Sequence, residues 1–260
     1  MSGSAPPVDP IKRRDFYVMV PHIDLPAVLM TGSENRWSLP VFAPDERSVL
    51  HAGHINRSVK KLLGLDATVL RCLYYFADRE VEMRTEAAFA MENHSPGWQP
   101  PEGVRWVGRD DLHGLELSLP SHRALIEEHL AEVETGVIPP QRQPWAREGW
   151  LPGAEAWIRQ ELERLGIKVT GDVEQDKTWS ISCLLRVPTD QGTVYFKAVP
   201  AIFAQEPLIT KALAECFPGL VPEPLAINVG DPEQSWMLLA DIGGVEMRDD
   251  ATTEQWVDVL

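Results

Sequence analysis

The amino-acid sequence predicts a mixed α/β (α+β) protein of two domains, on three observations. Short β-prone runs, such as FYVMV at 16–20 and VYFKAV at 194–199, are interleaved with segments of helical periodicity. A proline- and glycine-rich stretch, GVIPPQRQPWAREGWLPG at 136–153, interrupts that pattern near the middle. The 260 residues are 44% hydrophobic and include nine tryptophans, enough for two cores of ordinary size.

Taken in order, residues 1–11 are small and proline-rich and predict a flexible N-terminus. In residues 12–135, alternating and apolar runs at 15–40 predict strands, residues 49–63 a helix, and residues 67–76 a further strand. Leu125, Ile126, His129, Leu130 and Val133 recur at helical spacing, with glutamates opposite, so residues 120–134 predict an amphipathic helix. Residues 136–153 are read as a linker. Beyond it come a helix at 154–165 and three β-prone runs at 169–175, 181–187 and 193–199. A helix at 204–217 and a strand at 236–239 follow.

A net charge of −15 and a pI near 4.9 repel a phosphate backbone, and the basic clusters are confined to Lys12-Arg13-Arg14 and Lys60-Lys61. No nucleic-acid partner is expected. Cys72, Cys183 and Cys216 are far apart and lack metal-ligand spacing, so they read as buried free thiols of a reducing cytoplasm. No run approaches the length of a membrane span, so no membrane partner is expected and the protein reads as cytoplasmic.

Arg36-Trp37-Ser38-Leu39-Pro40, a helix ending at Leu63-Gly64-Leu65, and then Thr68-Val69-Leu70 carry a family likeness. With Val104-Arg105-Trp106-Val107 and Asp110-Asp111-Leu112 as closing strand and helix, about residues 12–135 resemble the Nudix hydrolase domain, which implies an α/β/α fold. That family gathers divalent metal with several glutamates on one helix. Here Val41-Phe42 stands in place of two glycines, and residues 47–65 contain no Asp or Glu. Arg57, Ser58, Lys60, Lys61 and Leu62 occupy that helix instead, so the domain is read as lacking the catalytic glutamates and holding no metal. Asp45 and Glu46 remain as an acidic pair, read as solvated turn residues. His51 and His54 have ligand spacing without a third ligand and are read as partly exposed helix histidines. Arg57, Lys60 and Lys61 read as a solvated helix face, with an anion-binding surface as the alternative.

In the second half, Asp176-Lys177-Thr178-Trp179-Ser180 forms a polar turn between two strands, with hydroxyls and N–H groups suited to phosphate oxygens. On the third strand Tyr195, Lys197 and Val199 share one face, which sets an ammonium among apolar neighbours. Nine residues on, Glu206 opens the next helix, where it can orient Lys197. Val221-Pro222-Glu223-Pro224-Leu225 and then Trp236-Met237-Leu238-Leu239-Ala240-Asp241-Ile242-Gly243-Gly244 complete an order that resembles the aminoglycoside phosphotransferase and choline kinase-like family over about residues 150–260. The resemblance implies a protein-kinase-like small lobe at 154–244, an antiparallel sheet plus a helix that binds ATP. It implies that Lys197 contacts the phosphates and is held by Glu206. Trp179, Ser180 and Ser182 would belong to the covering turn, and Met237, Leu238, Leu239 and Ala240 would form the hinge beside adenine.

That family transfers phosphate with an aspartate base in an HGDxxxxN segment and a magnesium-holding aspartate. No histidine follows His129, and Asp249-Asp250 with a short helix at 254–259 reads as a solvated turn and cap. Residues 245–260 are therefore read as the start of a truncated second lobe, with no catalytic residue in the chain and Mg²⁺ required only if a catalytic lobe is supplied. An uncovered apolar hinge side near residues 238–242 is expected, open to that lobe or to self-association. Three functions are compatible with these residues: the ATP-binding part of a small-molecule phosphotransferase, inactive alone; a non-catalytic nucleotide-sensing or protein-interaction module; and an atypical Nudix hydrolase.

Overall fold

A computed structural model describes residues 13–33, 36–44, 49–78, 80, 81 and 83–243. The first half runs β1 (Arg13–Met19), β2 (Ala27–Ser33), β3 (Arg36–Ser38), β4 (Val41–Phe42), α1 (Ala52–Leu63), β5 (Ala67–Asp78), β6 (Arg84–Asn93), β7 (Val104–Gly108), α2 (Arg109–His113), β8 (Glu116–Leu117) and α3 (His122–Thr135). Two four-stranded sheets form, in the orders β4-β1-β6-β5 and β7-β2-β3-β8. β1 pairs parallel with β6, so both its edges and both its faces are covered.

The two-residue period of the strands divides the core. Phe16, Val18, Val20, Ala87, Phe89 and Met91 pack with Ile55, Val59 and Leu63 of α1. Tyr17, Met19, Ala88 and Ala90 point the other way and pack with Ile126 and Leu130 of α3. The result is helix, sheets, helix. Residues 55, 59 and 63 recur every four positions and give α1 its apolar stripe; Gly64, at φ 66°, ends the helix in the left-handed region. β6 is absent from the sequence reading, because its alanines and glutamates favour helix and only burial between two strands makes it extended. Val133 of α3 is exposed although it shares the helical spacing.

The second half comprises α4 (Trp150–Arg164), β9 (Glu174–Thr178), β10 (Cys183–Thr189), β11 (Gly192–Val199), α5 (Glu206–Cys216), β12 (Pro224–Asn228) and β13 (Ser235–Ala240). Its strands form one antiparallel sheet, β12-β13-β11-β10-β9. Ala154, Ile158 and Leu162 of α4 cover one face, against Leu185, Val187, Val194, Phe196, Ala198, Trp236 and Leu238. Trp236 meets Trp150, Trp157 and Phe196 edge to face within this core, and Trp157 meets Phe196 in the same way.

Two expectations are corrected. The segment read as a linker is partly structured: Pro144–Ala146 is a 3-10 turn, Trp145 and Ala146 are buried, and α4 begins at Trp150. Pro152 sits in the first turn of that helix, where its missing N–H costs nothing. The strand placed at 169–175 is instead β9 at Glu174–Thr178; Val169 makes only an isolated bridge to Thr189. β9 is pulled C-terminally by contacts with the first half. His51 bridges Lys177, and the Thr178 N–H donates to the Leu50 carbonyl at 3.1 Å.

Gln175 fastens the halves together. Its side chain is buried against β5, the edge strand of its sheet. The Nε2 group donates to the Val69 carbonyl at 2.7 Å and to Thr178 Oγ1 at 3.0 Å. Oε1 accepts from the Val69 N–H at 3.0 Å and from Asn56 Nδ2 at 3.1 Å. Both amide hydrogens and both oxygen lone pairs are therefore engaged, and the amide caps the edge of β5 as a peptide of a further strand would. A Cβ at Gly53 of α1 would stand 2.9 Å from the Gln175 carbonyl, so the close approach of α1 and β9 requires glycine there.

A second junction lies where the chain leaves α3. Arg142 pairs with Glu132 at 2.6 Å, Arg71 lies 3.8 Å from the same carboxylate, and the Gly149 N–H donates to Glu92 Oε1 at 2.7 Å. His129 is buried beside them, and burial, with Arg71 and Arg142 adding to it against Glu132, lowers its pKa from 6.5 to about 4.

Two outcomes are expected from these junctions. Gln175→Ala leaves the Val69 carbonyl buried without its donor, and is expected to lower unfolding free energy by about 2–3 kcal/mol in urea denaturation. The fold holds His129 neutral while the unfolded chain protonates it near pH 6.5, so its contribution is complete above that pH and is lost as pH falls toward 4. Denaturation at pH 7.5 and pH 5 is expected to show a larger loss for the wild type than for His129→Gln.

Candidate functional site

The chemistry-bearing residues of the second half lie on the sheet face opposite α4. In β11, Val194, Phe196 and Ala198 point into the core, so Tyr195 and Lys197 project from the other side. Lys197 pairs across the ladders with Leu184 of β10 and Met237 of β13, which places it in the middle of the sheet. A 3-10 turn at Ala201–Phe203 then carries the chain into α5, whose first residue is Glu206. There the carboxylate is favoured by the helix N-terminus, and Oε1 accepts a hydrogen bond from Lys197 Nζ.

Both side chains keep about a third of their surface exposed, 30% for Lys197 and 32% for Glu206. A pair so open to water contributes only about 0–1 kcal/mol to stability. Its main consequence is orientation: the ammonium is held over the open face and keeps donor capacity for a second anion.

The turn before β10 differs from the expectation. Asp176, Lys177 and Thr178 belong to β9, and the Thr178 hydroxyl is buried between Gln175 Nε2 and Cys183 Sγ, 3.4 Å away. The turn itself is residues 179–182. The Trp179 N–H donates to the Ser182 carbonyl at 3.1 Å, and the Trp179 indole N–H donates to Ser182 Oγ at 2.7 Å. Ser180 is exposed at the tip.

The residues read as a hinge lie within the sheet. Met237 and Leu238 are fully buried in β13, and residues 237–239 pair with β11 on one side and β12 on the other. The Ala240 N–H donates to the Glu223 carbonyl at 3.0 Å. A backbone committed to two ladders has little left to offer a base edge. The first residues beyond the strand are Asp241–Gly243, where Asp241 Oδ1 accepts from the Gly243 N–H at 2.9 Å. Gly244, residues 245–260 and the short helix expected at 254–259 lie outside the described residues.

The uncovered apolar surface is also displaced. Leu238 is buried; Ile242 is exposed, and so are Ile202, Phe203, Leu208, Ile209, Leu213 and Phe217 on and around α5. Among the described side chains of α5 only Pro207 is buried.

In the first half, Asp45 and Glu46 lie outside the described residues. His54 is buried against Phe16, with ring centroids 6.0 Å apart, in place of the expected partial exposure. With His51, Arg57, Glu174, Asp176 and Arg186 it lines a cavity of about 70 Å³ between α1 and β9. Lys60 pairs with Asp66 at 2.8 Å, and Lys60 and Lys61 are solvated. Among the described residues no group of three or more His, Cys, Asp or Glu is placed to hold a metal ion.

One polar cluster had no signal in the sequence. The Tyr74 hydroxyl lies 2.5 Å from Glu86 Oε1 and 2.8 Å from His122 Nε2, while Tyr17 packs edge-on against that imidazole. Its members come from four elements, so no local spacing announces it. Burial, followed by the Glu86 hydrogen bond, pushes the Tyr74 hydroxyl pKa upward and keeps it a donor. Of the cysteines, only Cys183 is buried, where desolvation pushes its thiol up to about 12; Cys72 and Cys216 are exposed, against expectation.

No protein-family model matches the chain, and no curated protein matches it. Several solved structures show partial likeness. A protein of Sinorhizobium meliloti provisionally assigned as an oxidoreductase gives a TM-score of 0.37 at 15% identity, over 46% of this chain and 39% of that one. A Nudix hydrolase of Nitrosomonas europaea gives 0.36 at 10% identity, over 47% of this chain and 72% of that one. An ADP-ribose pyrophosphatase of Streptococcus suis gives 0.34 at 22% identity, over 44% of this chain and 89% of that one. The likeness concerns fold only. Among the described residues no helix is long and apolar enough to cross a membrane.

Proposed function

We propose that the second half of the chain binds ATP, with the Lys197 ammonium on the phosphates, as the nucleotide-binding part of a small-molecule phosphotransferase. The observation that carries this reading is the Lys197–Glu206 ion pair. A lysine on the third strand of an antiparallel sheet, held by a glutamate on the following helix, is the arrangement by which protein kinases orient a phosphate-binding lysine. Support also comes from the position of the turn at residues 179–182. Lys197 pairs with Leu184, two residues from Ser182, so strand spacings put the backbone of the turn roughly 8 Å from that of Lys197.

Phosphoryl transfer needs an aspartate base and a metal-holding aspartate in line with the transferred group. The proposal for this chain is accordingly nucleotide binding without turnover, with Mg²⁺ and an acceptor hydroxyl handled by a further lobe. The exposed apolar residues of α5 supply a surface for such a lobe. A nucleotide-sensing module without chemistry shares the same binding site and differs only in the use made of the bound nucleotide. A reducing cytoplasm is the proposed compartment.

The layered fold of the first half supports a second reading, an atypical Nudix hydrolase. Against it stand α1, which has no carboxylate, and β9, which packs on that helix.

Calorimetric titration with ATP, with and without magnesium, tests the first reading. The wild type is expected to bind, and Lys197→Ala to bind about tenfold more weakly or worse, with little change in thermal unfolding because the pair is exposed. Equal binding by the two proteins rejects the reading. For the second, hydrolysis of a nucleoside diphosphate derivative is expected to be absent; turnover that disappears on replacing Asp45 and Glu46 by alanine would establish it instead.

A further inference from the structure

Trp145 comes from the segment between the two halves, yet its side chain reaches the backbone of the turn at residues 179–182. It is buried in the core between α4 and the sheet, and its indole N–H donates to the Trp179 carbonyl at 2.9 Å. That carbonyl is the one a tight hairpin between β9 and β10 would join to the Ser182 N–H. In this turn only half of the closing pair forms: the Trp179 N–H meets the Ser182 carbonyl, while the Trp179 carbonyl accepts from the indole of Trp145. As a result, none of the N–H groups of Ser180, Ile181 and Ser182 has an acceptor among the described residues. Ser180 and Ile181 are exposed and Ser182 is half-buried, so this turn offers three consecutive N–H donors without an internal acceptor, as an anion requires.

Other bonds hold the turn in this form. The Thr178 N–H is tied to Leu50 of the first half, and the Trp179 ring is fixed by its bond to Ser182 Oγ. The approach strand and the carbonyl at the base of the turn are thus both held from outside the sheet, by the first half and by the connecting segment. A turn set in this way loses less conformational freedom when a ligand binds.

We infer that Trp145 is a positioning residue for the phosphate-covering turn. Its indole holds the Trp179 carbonyl and so fixes the turn in the form that leaves the N–H groups of residues 180–182 for the phosphate oxygens of the nucleotide. This inference rests on the ATP-binding reading above.

The test uses the full chain and two readouts. Amide spectra of the ¹⁵N-labelled wild type are followed during titration with ATP and with inorganic tripolyphosphate. Calorimetry with ATP is carried out on the wild type, Trp145→Phe and Lys197→Ala. Trp145→Phe keeps an aromatic ring in the core and removes the N–H donor together with the five-membered ring. The expected results are shifts of the amides of residues 180–182 with both ligands, and ATP binding about tenfold weaker in Trp145→Phe. Unshifted amides at 180–182 in a protein that binds ATP through Lys197 overturn the inference and spare the ATP reading; unchanged affinity in Trp145→Phe does the same. Normal binding by Lys197→Ala together with shifted turn amides rejects the lysine's role and supports the turn. No binding of either ligand by the wild type rejects both. Should Trp145→Phe fail to fold, benzothienylalanine at position 145, which keeps the bicyclic shape and lacks the N–H, takes its place, with the same expected and overturning results.

Discussion

The junction between the two halves centres on one side-chain amide. Gln175 leaves β9, reaches the edge of the neighbouring sheet and meets the Val69 backbone as a strand would, with Asn56 and Thr178 completing its hydrogen bonds. A buried amide of this kind is stabilising only when complete, because each group left without a partner carries its full desolvation cost. That constraint sets where β9 runs, and so where the turn at residues 179–182 stands. The first half is therefore part of the geometry of the candidate nucleotide site, although it contributes no residue to it.

The same contact bears on α1. A helix that presents several glutamates to bound metal must keep that face open and solvated. With no carboxylate, and with Gly53 at the point of closest approach, α1 can instead accept a strand against it. Its lysines stay on the solvent side, where Lys60 finds Asp66. An anion-binding surface on Arg57, Lys60 and Lys61 is accordingly divided, since Arg57 faces the cavity beneath β9 and the lysines face water.

On the other side of the second sheet the balance is reversed. α4 and the four clustered aromatic rings close one face tightly, while α5 leaves most of its apolar residues in water. A sheet sealed on one face and open on the other presents Lys197 and Glu206 at a surface, where ion pairing costs little desolvation and contributes little stability. Such a pair is better suited to orienting a ligand than to holding a fold.

The strands at 16–20 and 194–199, the helices α1, α3 and α5, and the pairing of Lys197 with Glu206 were legible in the sequence. Period-two and period-3.6 patterns are local, and a strand-turn-helix unit brings residues nine apart within reach. β9 and the connecting segment differ from what local pattern predicts, and β6, Gln175, Trp145 and the Tyr74–Glu86–His122 cluster carry no local signal. Each depends on partners distant in the chain, 12 positions for Tyr74 and Glu86, 34 for Trp145 and Trp179, and 106 and 119 for Gln175 with Val69 and Asn56. The sequence by itself determined the features that neighbouring residues decide: element type, the apolar stripes, and the absence of carboxylates from α1. The tertiary structure alone decided which carbonyl the Trp145 indole holds and which strand edge Gln175 caps, because a hydrogen-bonding group finds its partner only after the two halves have packed.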